Sequence, residues 1–282
     1  MDFFTPQQTA ILTSIAKYKY LTVNHFKALN IGSSDRLIRE NLKILRDRKL
    51  TEKMSFGTIP IKGRFQDLHF LTEKGAKMLI ENLNLEPEEV KHPSRASTFF
   101  KNDYLHRVST IDLMISFNQW TEKNDYIIDF FETYYDKVGS QRATETGVQS
   151  RTRLDLPNGQ NISPDAIIKY EANGKNYLFC LEVYNGKDTK RVTEQIRKLT
   201  YATFEGIPSK KYNHDKTNRN LILFEFDEYK NYAIDRIKKD PYLNQFEGLE
   251  QLFFFASLET HKVDFGTNWL TMDGINLKLS DL

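Results

Sequence analysis

The sequence contains a single cysteine, Cys180, so no disulfide can form within the chain. No apolar run approaches the roughly 20 residues that a membrane-spanning helix needs. The first residues, MDFFTPQQ, have neither the basic start nor the apolar segment of a secretory signal. These features favour a reducing, cytoplasmic setting. Cys180 lies within YLFCLEV, which predicts a buried strand position rather than a catalytic thiol.

Two kinds of chemical motif are also missing from the sequence. Its six histidines and one cysteine form no cluster with zinc-ligand spacing. It has no glycine-rich phosphate loop of the P-loop kind, which argues against ATP use. The chain does have material for cores, since 39% of its 282 residues are hydrophobic and 13% are aromatic. This composition and length predict one large or two ordinary folded domains.

The charge of the chain is unevenly distributed, although the net value is only +2. Residues 1–80 contain 14 Lys and Arg against 7 Asp and Glu, a net +7, so the remainder carries −5. A basic front part on a mildly acidic back part indicates that the front contacts a polyanion such as nucleic acid. A chance imbalance among solvated side chains is the alternative.

Three helices are predicted before residue 50, and the third, SDRLIRENLKILRDRKL, separates apolar from basic residues. The side that packs is predicted to carry Ile38, Leu42 and Leu45, with Leu37, Asn41 and Ile44 beside them. The opposite side carries cations at i, i+3, i+7 and i+10, namely Arg36, Arg39, Lys43 and Arg46. Such a row suits the DNA major groove, and an ordinary amphipathic helix with a solvated basic face is the alternative.

Two short strands and a closing helix are predicted next, in LTEKMSFGTIPIKGRFQDLHFLTEKGAKMLIENL. Three cations lie on or beside this hairpin, Lys53, Lys62 and Arg64. Three helices, a hairpin and a helix form the element order of a winged helix-turn-helix. Residues 1–83 are therefore predicted to bind double-stranded DNA, with the third helix in the major groove and the hairpin cations on phosphates. The polar stretch 84–95, which has two prolines, is predicted to be a linker.

Residues 96–282 are predicted to form a second domain with the order α-β-β-β-α-β. The strand DYIIDFFETYY has β-forming residues on both faces, which favours a central position in the sheet. The strands ISPDAIIKYEA and KNYLFCLEVYN are joined by Asn173-Gly174, a strong hairpin signal. The polar, aperiodic stretch 136–161 predicts a functional or mobile loop. Its cations suit a flap that faces DNA: Lys137, Arg142, Arg151 and Arg153.

Two acids mark ends of the hairpin strands. Asp165 follows a proline, and Glu182 closes an apolar run 17 residues later. A hairpin can place them side by side at one sheet edge, and Glu132 at the end of the preceding strand can add a third oxygen. Hard oxygen ligands of this kind suit Mg²⁺ or Mn²⁺. The alternative is that these are strand-end acids exposed to water.

This order and these acids resemble the PD-(D/E)XK nuclease superfamily, in which a central hairpin brings an Asp and a Glu together at a divalent metal. More narrowly, the chain resembles the replication-relaxation family, which includes the MobC-type plasmid relaxases. The resemblance covers residues 5–205 and rests on the order of LTEKGAKML, YLHRVSTIDLMISF, SPDAIIKY, FCLEVYNGKDT and RKLTYAT. It implies a protein that binds DNA at a plasmid or mobile-element origin and nicks one strand in conjugative mobilisation or replication. Other mobilisation or replication proteins are its implied partners, and a homodimer is compatible with it.

Tyr184 departs from both patterns, because a nuclease of this superfamily has a lysine there and the replication-relaxation pattern commonly has an acid. Three interpretations stay open. The lysine has moved to the next helix, as Lys198, or to Lys187 or Lys190 near its start. Alternatively Tyr184 is the nucleophile, since relaxases commonly leave a DNA 5′-phosphate on a tyrosine oxygen. In the third interpretation the site is degenerate and the fold only binds DNA or a partner.

Further candidates accompany Tyr184. The chain is rich in tyrosine, and the rival nucleophiles are Tyr134, Tyr135, Tyr177 and Tyr201. His106 is a candidate metal ligand or acid–base group if its helix packs near the sheet edge, and a hydrogen-bonded core histidine is the alternative.

The sequence thus predicts a metal-dependent DNA-nicking enzyme whose catalytic residues are Asp165, Glu182, Tyr184, Lys198 and His106. A replication initiator or transcriptional regulator with a degenerate, non-enzymatic nuclease-like fold is the first alternative. A restriction-type endonuclease that cuts both strands as a dimer is the second.

Overall fold

The chain folds as a mixed α/β protein, as predicted. The structure, a computed structural model, describes residues 4–59, 63–93, 103–139 and 147–282. Its internal contacts divide the chain into two compact units, Met1–Tyr104 and Leu105–Leu282. In the ranges described, none of the helices combines the length and the apolar character needed to cross a membrane.

In its described residues, the first unit has three α-helices, then four short strands and a closing α-helix. The helices are α1 (Pro6–Tyr18), α2 (Val23–Ala28), α3 (Asp35–Asp47) and α4 (Glu73–Leu83). The strands are β1 (Thr51–Met54), β2 (Thr58–Ile59), β3 (Gly63–Arg64) and β4 (Leu68–Leu71). β1 pairs antiparallel with β4, and β2 pairs antiparallel with β3. Each helix begins after a residue whose side chain accepts a backbone N–H, namely Thr5, Thr22, Ser34 and Thr72.

The stretch predicted as a linker, 84–95, is packed over part of its length. Val90 is buried, and the backbone N–H of Lys91 donates to the carbonyl of Ala16 at 2.9 Å. The division between the units accordingly comes after this stretch, at Tyr104.

The core-facing side of α3 is narrower than the sequence predicts. Ile38, Leu42 and Leu45 are fully buried against α1 and α2, and Asn41 is buried with them. The Asn41 side chain is hydrogen-bonded to two glutamines of α1. Leu37 and Ile44, which were expected beside this face, are instead exposed, because α1 and α2 cover only one stripe of the helix.

The second unit is built on a seven-stranded mixed sheet. Its helices are α5 (Tyr104–Lys123), α6 (Thr189–Phe204), α7 (Ile207–Lys211), α8 (Asp227–Lys238) and α9 (Leu258–His261). Its long strands are β5 (Ile127–Thr133), β10 (Ala166–Ala172), β11 (Lys175–Tyr184), β12 (Arg219–Phe224) and β13 (Phe253–Ser257). The shorter ones are β6 (Lys137–Val138), β7 (Gln149–Ser150), β8 (Leu154–Asp155), β9 (Asn161–Ile162), β14 (Trp269–Thr271) and β15 (Asn276–Leu277).

The strand order in this sheet is β15-β14-β13-β12-β11-β10-β5. β5, β10 and β11 are antiparallel, whereas β11, β12 and β13 run parallel. β5 therefore lies at an edge of the described sheet, and the prediction of a central position is wrong. Both faces of this edge strand are nevertheless partly covered, since Phe131 packs on Phe117 of α5 and Phe130 on Tyr212 after α7. That cover explains its apolar pattern on both faces.

Part of the stretch 136–161, which was predicted to be a functional or mobile loop, contributes to the core. β8 and β9 form a hairpin whose side chains Leu154, Leu156 and Ile162 are buried among those of α6 and α8. The loop prediction is therefore wrong for this hairpin. Leu154 and Leu156, the two of these residues that lie within 136–161, are too sparse to reveal a core element in the sequence. Of the cations predicted for a flap, Arg142 lies outside the described residues.

Candidate functional site

Asp165 and Glu182 lie next to each other at one end of the β10–β11 hairpin. Ala166 pairs with Leu181 in this hairpin. Asp165 directly precedes Ala166 and Glu182 directly follows Leu181, so the two acids lie side by side. Both residues are almost fully enclosed, with exposed fractions of 6% and 7%. Burial, and then the nearby Asp165 carboxylate, raises the pKa of Glu182 well above its usual value. The two predicted acids thus form a buried carboxylate pair.

His106 joins this pair from the first turn of α5. Its Nε2 atom lies 2.6 Å from Oδ1 of Asp165, and its side chain is 26% exposed. The other oxygen, Oδ2, accepts the backbone N–H of Val183 at 2.7 Å. The helix thus packs near the sheet edge, as a functional role of His106 requires.

These side chains line a cavity of about 510 Å³, which we call the acid cavity. His106, Asp165, Glu182 and Tyr184, four of the five predicted catalytic residues, all face it. The rest of its lining comes from Asn161, Ile162, Ser163, Val183, Asn185, Gly186, Asp188, Arg191, Val192 and Gln195. Three buried atoms in its wall have no hydrogen-bond partner in the described chain, Glu182 Oε1, Tyr184 Oη and Asn185 Nδ2. Orphaned buried polar atoms that share one cavity indicate a place for a polar ligand, an ion or water.

The cation of the acid cavity is Arg191, which the sequence analysis did not single out. Asp188 caps α6 by accepting the backbone N–H of Arg191 at 3.0 Å. Arg191 and Gln195, one turn apart, then face the cavity on either side of the buried Val192. The positive charge of Arg191 opposes the upward shift in the pKa of Glu182. The spacing of Asp188, Arg191 and Gln195 at i, i+3 and i+7 is the signal that could have located them.

Two predicted site residues, Glu132 and Lys198, do not reach the acid cavity. Glu132 accepts from Arg151 at 3.3 Å and from the Tyr212 hydroxyl at 3.1 Å, in a separate cavity. Glu132 pairs with Ile167 of β10, which lies two residues beyond Asp165. Glu132 is therefore displaced from Asp165 by about 7 Å along the strand direction. Lys198 lies two helical turns beyond Arg191, about 10 Å along α6, and lines another pocket.

Tyr184 has its hydroxyl in the acid cavity and its ring stacked on Phe224, with 5.4 Å between ring centroids. Burial, followed by the charges of Glu182 and Asp165, raises the pKa of the Tyr184 hydroxyl well above its usual value. The phenol is therefore held in its neutral form by these surroundings. Among the rival tyrosines, Tyr134 contacts the His106 ring edge-on at 5.4 Å, and Tyr177 stacks on Tyr170 at 5.2 Å.

The two carboxylates fit a hard divalent cation. Across the described ranges, no three or more His, Cys, Asp and Glu side chains are grouped so that they could hold a metal ion. Mg²⁺, however, usually keeps several water ligands and is bound through one or two carboxylates. Glu182 Oε1 has no partner, and the adjacent Asp165 carboxylate adds a second hard oxygen donor. Asp165 and Glu182 thus match the donor set that Mg²⁺ or Mn²⁺ prefers.

The basic residues of the first unit lie largely on its surface. The Arg36 side chain is 88% exposed and pairs with Glu40 at 2.8 Å, while Arg39 is 3.9 Å from Asp35. Lys43 and Arg64 are exposed, and Arg46 is half-buried. Lys53 pairs with Asp67 at 2.6 Å, and Lys62 lies outside the described residues. The cations of α3 thus form one accessible row. The ion pairs of Arg36 and Arg39 are exposed and therefore weak, so they leave both side chains available for other contacts.

Comparison of the chain with protein-family models, with curated proteins and with solved structures gives no match in any of the three.

The raised pKa of Glu182 makes stability depend on pH. Above the usual pKa of 4.5, the folded chain retains a proton on Glu182 that the unfolded chain has lost. The folded state then binds more protons, so its stability falls as pH rises toward the folded pKa of Glu182. We expect Glu182→Gln to remove this loss and to raise the melting temperature in EDTA, by roughly 2–4 °C for each kcal/mol recovered. Thermal unfolding of both proteins from about pH 5 to about pH 8 measures the difference between their melting temperatures, which is expected to widen with pH.

Glu171→Gln is the matched control, because Glu171 is an exposed acid on the same hairpin. Its melting curve is expected to follow that of the wild type at every pH. Parallel curves for Glu182→Gln and the wild type would show that Glu182 titrates normally in the folded chain.

Proposed function

We propose that this chain is a metal-dependent, DNA-nicking protein of the relaxase type that acts at a plasmid or mobile-element origin. The observation that carries the proposal is the buried pair Asp165 and Glu182, which share a cavity with Arg191 and leave Glu182 Oε1 without a partner. A buried carboxylate pair is costly to the fold unless a cation or a proton compensates it. Such a cost is typical of functional sites.

We assign the first unit as a winged helix that binds the origin duplex. Its order, three helices followed by paired strands and α4, supports this assignment. The exposed cations of α3 suit the major groove, where a recognition helix contacts base edges and phosphates. Arg64, on the β2–β3 pair, suits a phosphate contact outside the groove.

We assign the second unit as a nuclease-like domain of the PD-(D/E)XK type. In support, α5 and β5 precede the β10–β11 hairpin, and α6 and β12 follow it in a mixed sheet. The acids at the end of that hairpin occupy the place at which such a domain binds its metal. Arg191 supplies a cation from the helix that follows, where the superfamily pattern uses a lysine on the strand.

The side chains around the acid cavity have distinct roles in this proposal. Asp165 and Glu182 would hold Mg²⁺ or Mn²⁺, and when bound there the ion would supply positive charge against the scissile phosphate. His106 holds one Asp165 oxygen through Nε2, and the Val183 N–H holds the other, so the carboxylate is fixed in orientation. The guanidinium of Arg191 binds a phosphate oxygen through charge-assisted hydrogen bonds.

The proposal is tested with supercoiled plasmid that carries the DNA flanking the gene. Purified chain is expected to convert it to open circles in the presence of Mg²⁺ or Mn²⁺, and to leave it supercoiled in EDTA. Linear product would instead indicate a restriction-type endonuclease. Tight, metal-independent binding without any cleavage would indicate a replication initiator or transcriptional regulator.

The neutral state of Tyr184 leads to a prediction about the attacking group. Since burial, the largest cause of its raised pKa, persists when a cation neutralises the two carboxylates, we expect water rather than this phenol to attack the phosphate. Tyr184→Phe keeps the stacking on Phe224 and is expected to retain nicking within about threefold of the wild-type rate. Denaturing gels of labelled plasmid fragments are expected to show no protein–DNA adduct that depends on Tyr184. An adduct that the wild type forms and Tyr184→Phe does not would make Tyr184 the nucleophile.

A further inference from the structure

A second pocket, of about 620 Å³, follows the acid cavity along α6. We call it the tyrosine pocket, because Tyr201 of α6 and Tyr242 line it together with Lys198. The two cavities share their supports: α6 gives Arg191 and Gln195 to the first and Lys198 and Tyr201 to the second. The β8–β9 hairpin likewise contributes to both. The tyrosine pocket and the acid cavity therefore follow each other along α6.

One buried carboxylate holds the aromatic wall of this pocket in place. Asp240, whose side chain is 7% exposed, accepts Nη2 of Arg197 at 2.7 Å and Nε at 3.1 Å. It also accepts the backbone N–H groups of Tyr242 and Leu243, at 3.0 and 3.1 Å. The Arg197 guanidinium carbon lies 5.9 Å from the centroid of the Tyr242 ring. Ring and guanidinium are thus positioned before any ligand binds.

The chemistry of the lining suits a nucleotide. The rings of Tyr201 and Tyr242 are half-buried at the core surface, and burial raises the pKa of the Tyr242 hydroxyl. Aromatic rings and guanidinium planes stack nucleobases of any sequence. Lys198 offers a charge for phosphate, and the side chains of Asn158 and Gln160 offer hydrogen bonds to a base edge. Glu194 is the acid of the lining.

We propose that the tyrosine pocket binds an unpaired nucleobase and its phosphate, in the single DNA strand that leads away from the cleavage site. This inference rests on the proposed nicking function for the identity of the strand. A base inside a duplex has both faces covered by its neighbours, so only an unpaired base can stack on Tyr242. Lys198 lies seven positions after Arg191, a rise of about 10 Å along α6, which corresponds to the length of about three stacked nucleotides.

The test measures binding rather than cleavage. Fluorescence anisotropy of a labelled oligo-dT strand and of a blunt duplex is followed with the full chain in EDTA. Tyr242→Ala is expected to weaken binding of the single strand about tenfold and to leave duplex binding unchanged. Tyr242→Phe keeps the aromatic face and is expected to bind as the wild type does. Lys198→Gln is expected to lower the salt dependence of single-strand binding by about 0.7 in the logarithmic slope.

Tyr232→Ala is the matched control, because Tyr232 is an exposed tyrosine of α8. The inference is overturned if Tyr242→Ala binds the single strand as tightly as Tyr232→Ala does and Lys198→Gln leaves the salt dependence of this binding unchanged. An equal loss of duplex and single-strand binding would overturn its restriction to unpaired bases. None of these binding measurements depends on metal or on cleavage. The binding test can therefore succeed when the nicking assay fails, and it can fail when the nicking assay succeeds.

Discussion

Glu182→Gln is expected to lower the rate of plasmid nicking at least about a hundredfold, since even changes behind the direct ligands of a metal site cost 10- to 100-fold. Glutamine keeps the shape and the buried position of the side chain but loses the charge that attracts a cation. The orphaned Oε1 of Glu182 would no longer belong to a carboxylate. Initial rates of open-circle formation over a series of Mg²⁺ concentrations measure the effect. Origin binding by the first unit is expected to be unchanged.

Asp165→Asn is expected to give a comparable loss, because Asp165 is the second carboxylate of the same pair. The matched control is again Glu171→Gln, which removes a charge from the exposed part of β10. Its nicking rate is expected to equal that of the wild type. Wild-type nicking by both Glu182→Gln and Asp165→Asn would remove the acid cavity from consideration as the site of cleavage.

The approach of the two acids could be predicted because a short turn sets the register of a hairpin. Asp165 lies eight residues before Asn173, and Glu182 lies eight residues after Gly174. A two-residue turn at Asn173-Gly174 therefore places them opposite each other without further information. The observed pairing, from Ala172 with Lys175 to Ala166 with Leu181, follows this register along its whole length.

The position of Glu132 could not be predicted in the same way. β5 reaches β10 through a connection of more than thirty residues, so no turn fixes their register. The pairing of β5 with β10 also shifts between Lys169 and Tyr170. Glu132 is drawn to Arg151 and Tyr212, whose positions depend on the β6–β7 and α7 segments. None of these contacts is local in the sequence.

The identity of the cation depended on where α6 begins. The apolar period of α6 shows which side packs on the sheet, but several cations flank that side. Capping by Asp188 sets the first turn, which puts Arg191 at the level of the acids and carries Lys198 two turns away. The superfamily pattern led us to expect a lysine near the acids. The expected residue, Lys198, lies on the same helix as Arg191 but two turns further along it.

The triple variant Arg36→Ala, Arg39→Ala, Lys43→Ala is expected to weaken binding to the origin duplex about a hundredfold at low salt. Each phosphate contact contributes about 0.9 to the slope of log affinity against log salt, so the slope is expected to fall by up to about 2.7. The ion pairs of Arg36 and Arg39 are exposed and contribute little to folding, so the melting temperature is expected to stay unchanged. Anisotropy titrations at several salt concentrations give both the affinity and the slope.

A charge-matched control separates a specific face from general attraction between a cationic protein and DNA. Lys238, Lys239 and Lys278 are exposed lysines of the second unit, and replacing all three with alanine removes the same charge. This control is expected to retain near-wild-type affinity for the duplex. Equal losses in the two triple variants would show that net charge rather than α3 governs binding. Full affinity in the α3 variant would mean that duplex DNA is bound elsewhere, because a major-groove helix that loses three cations loses its counterion-release contribution.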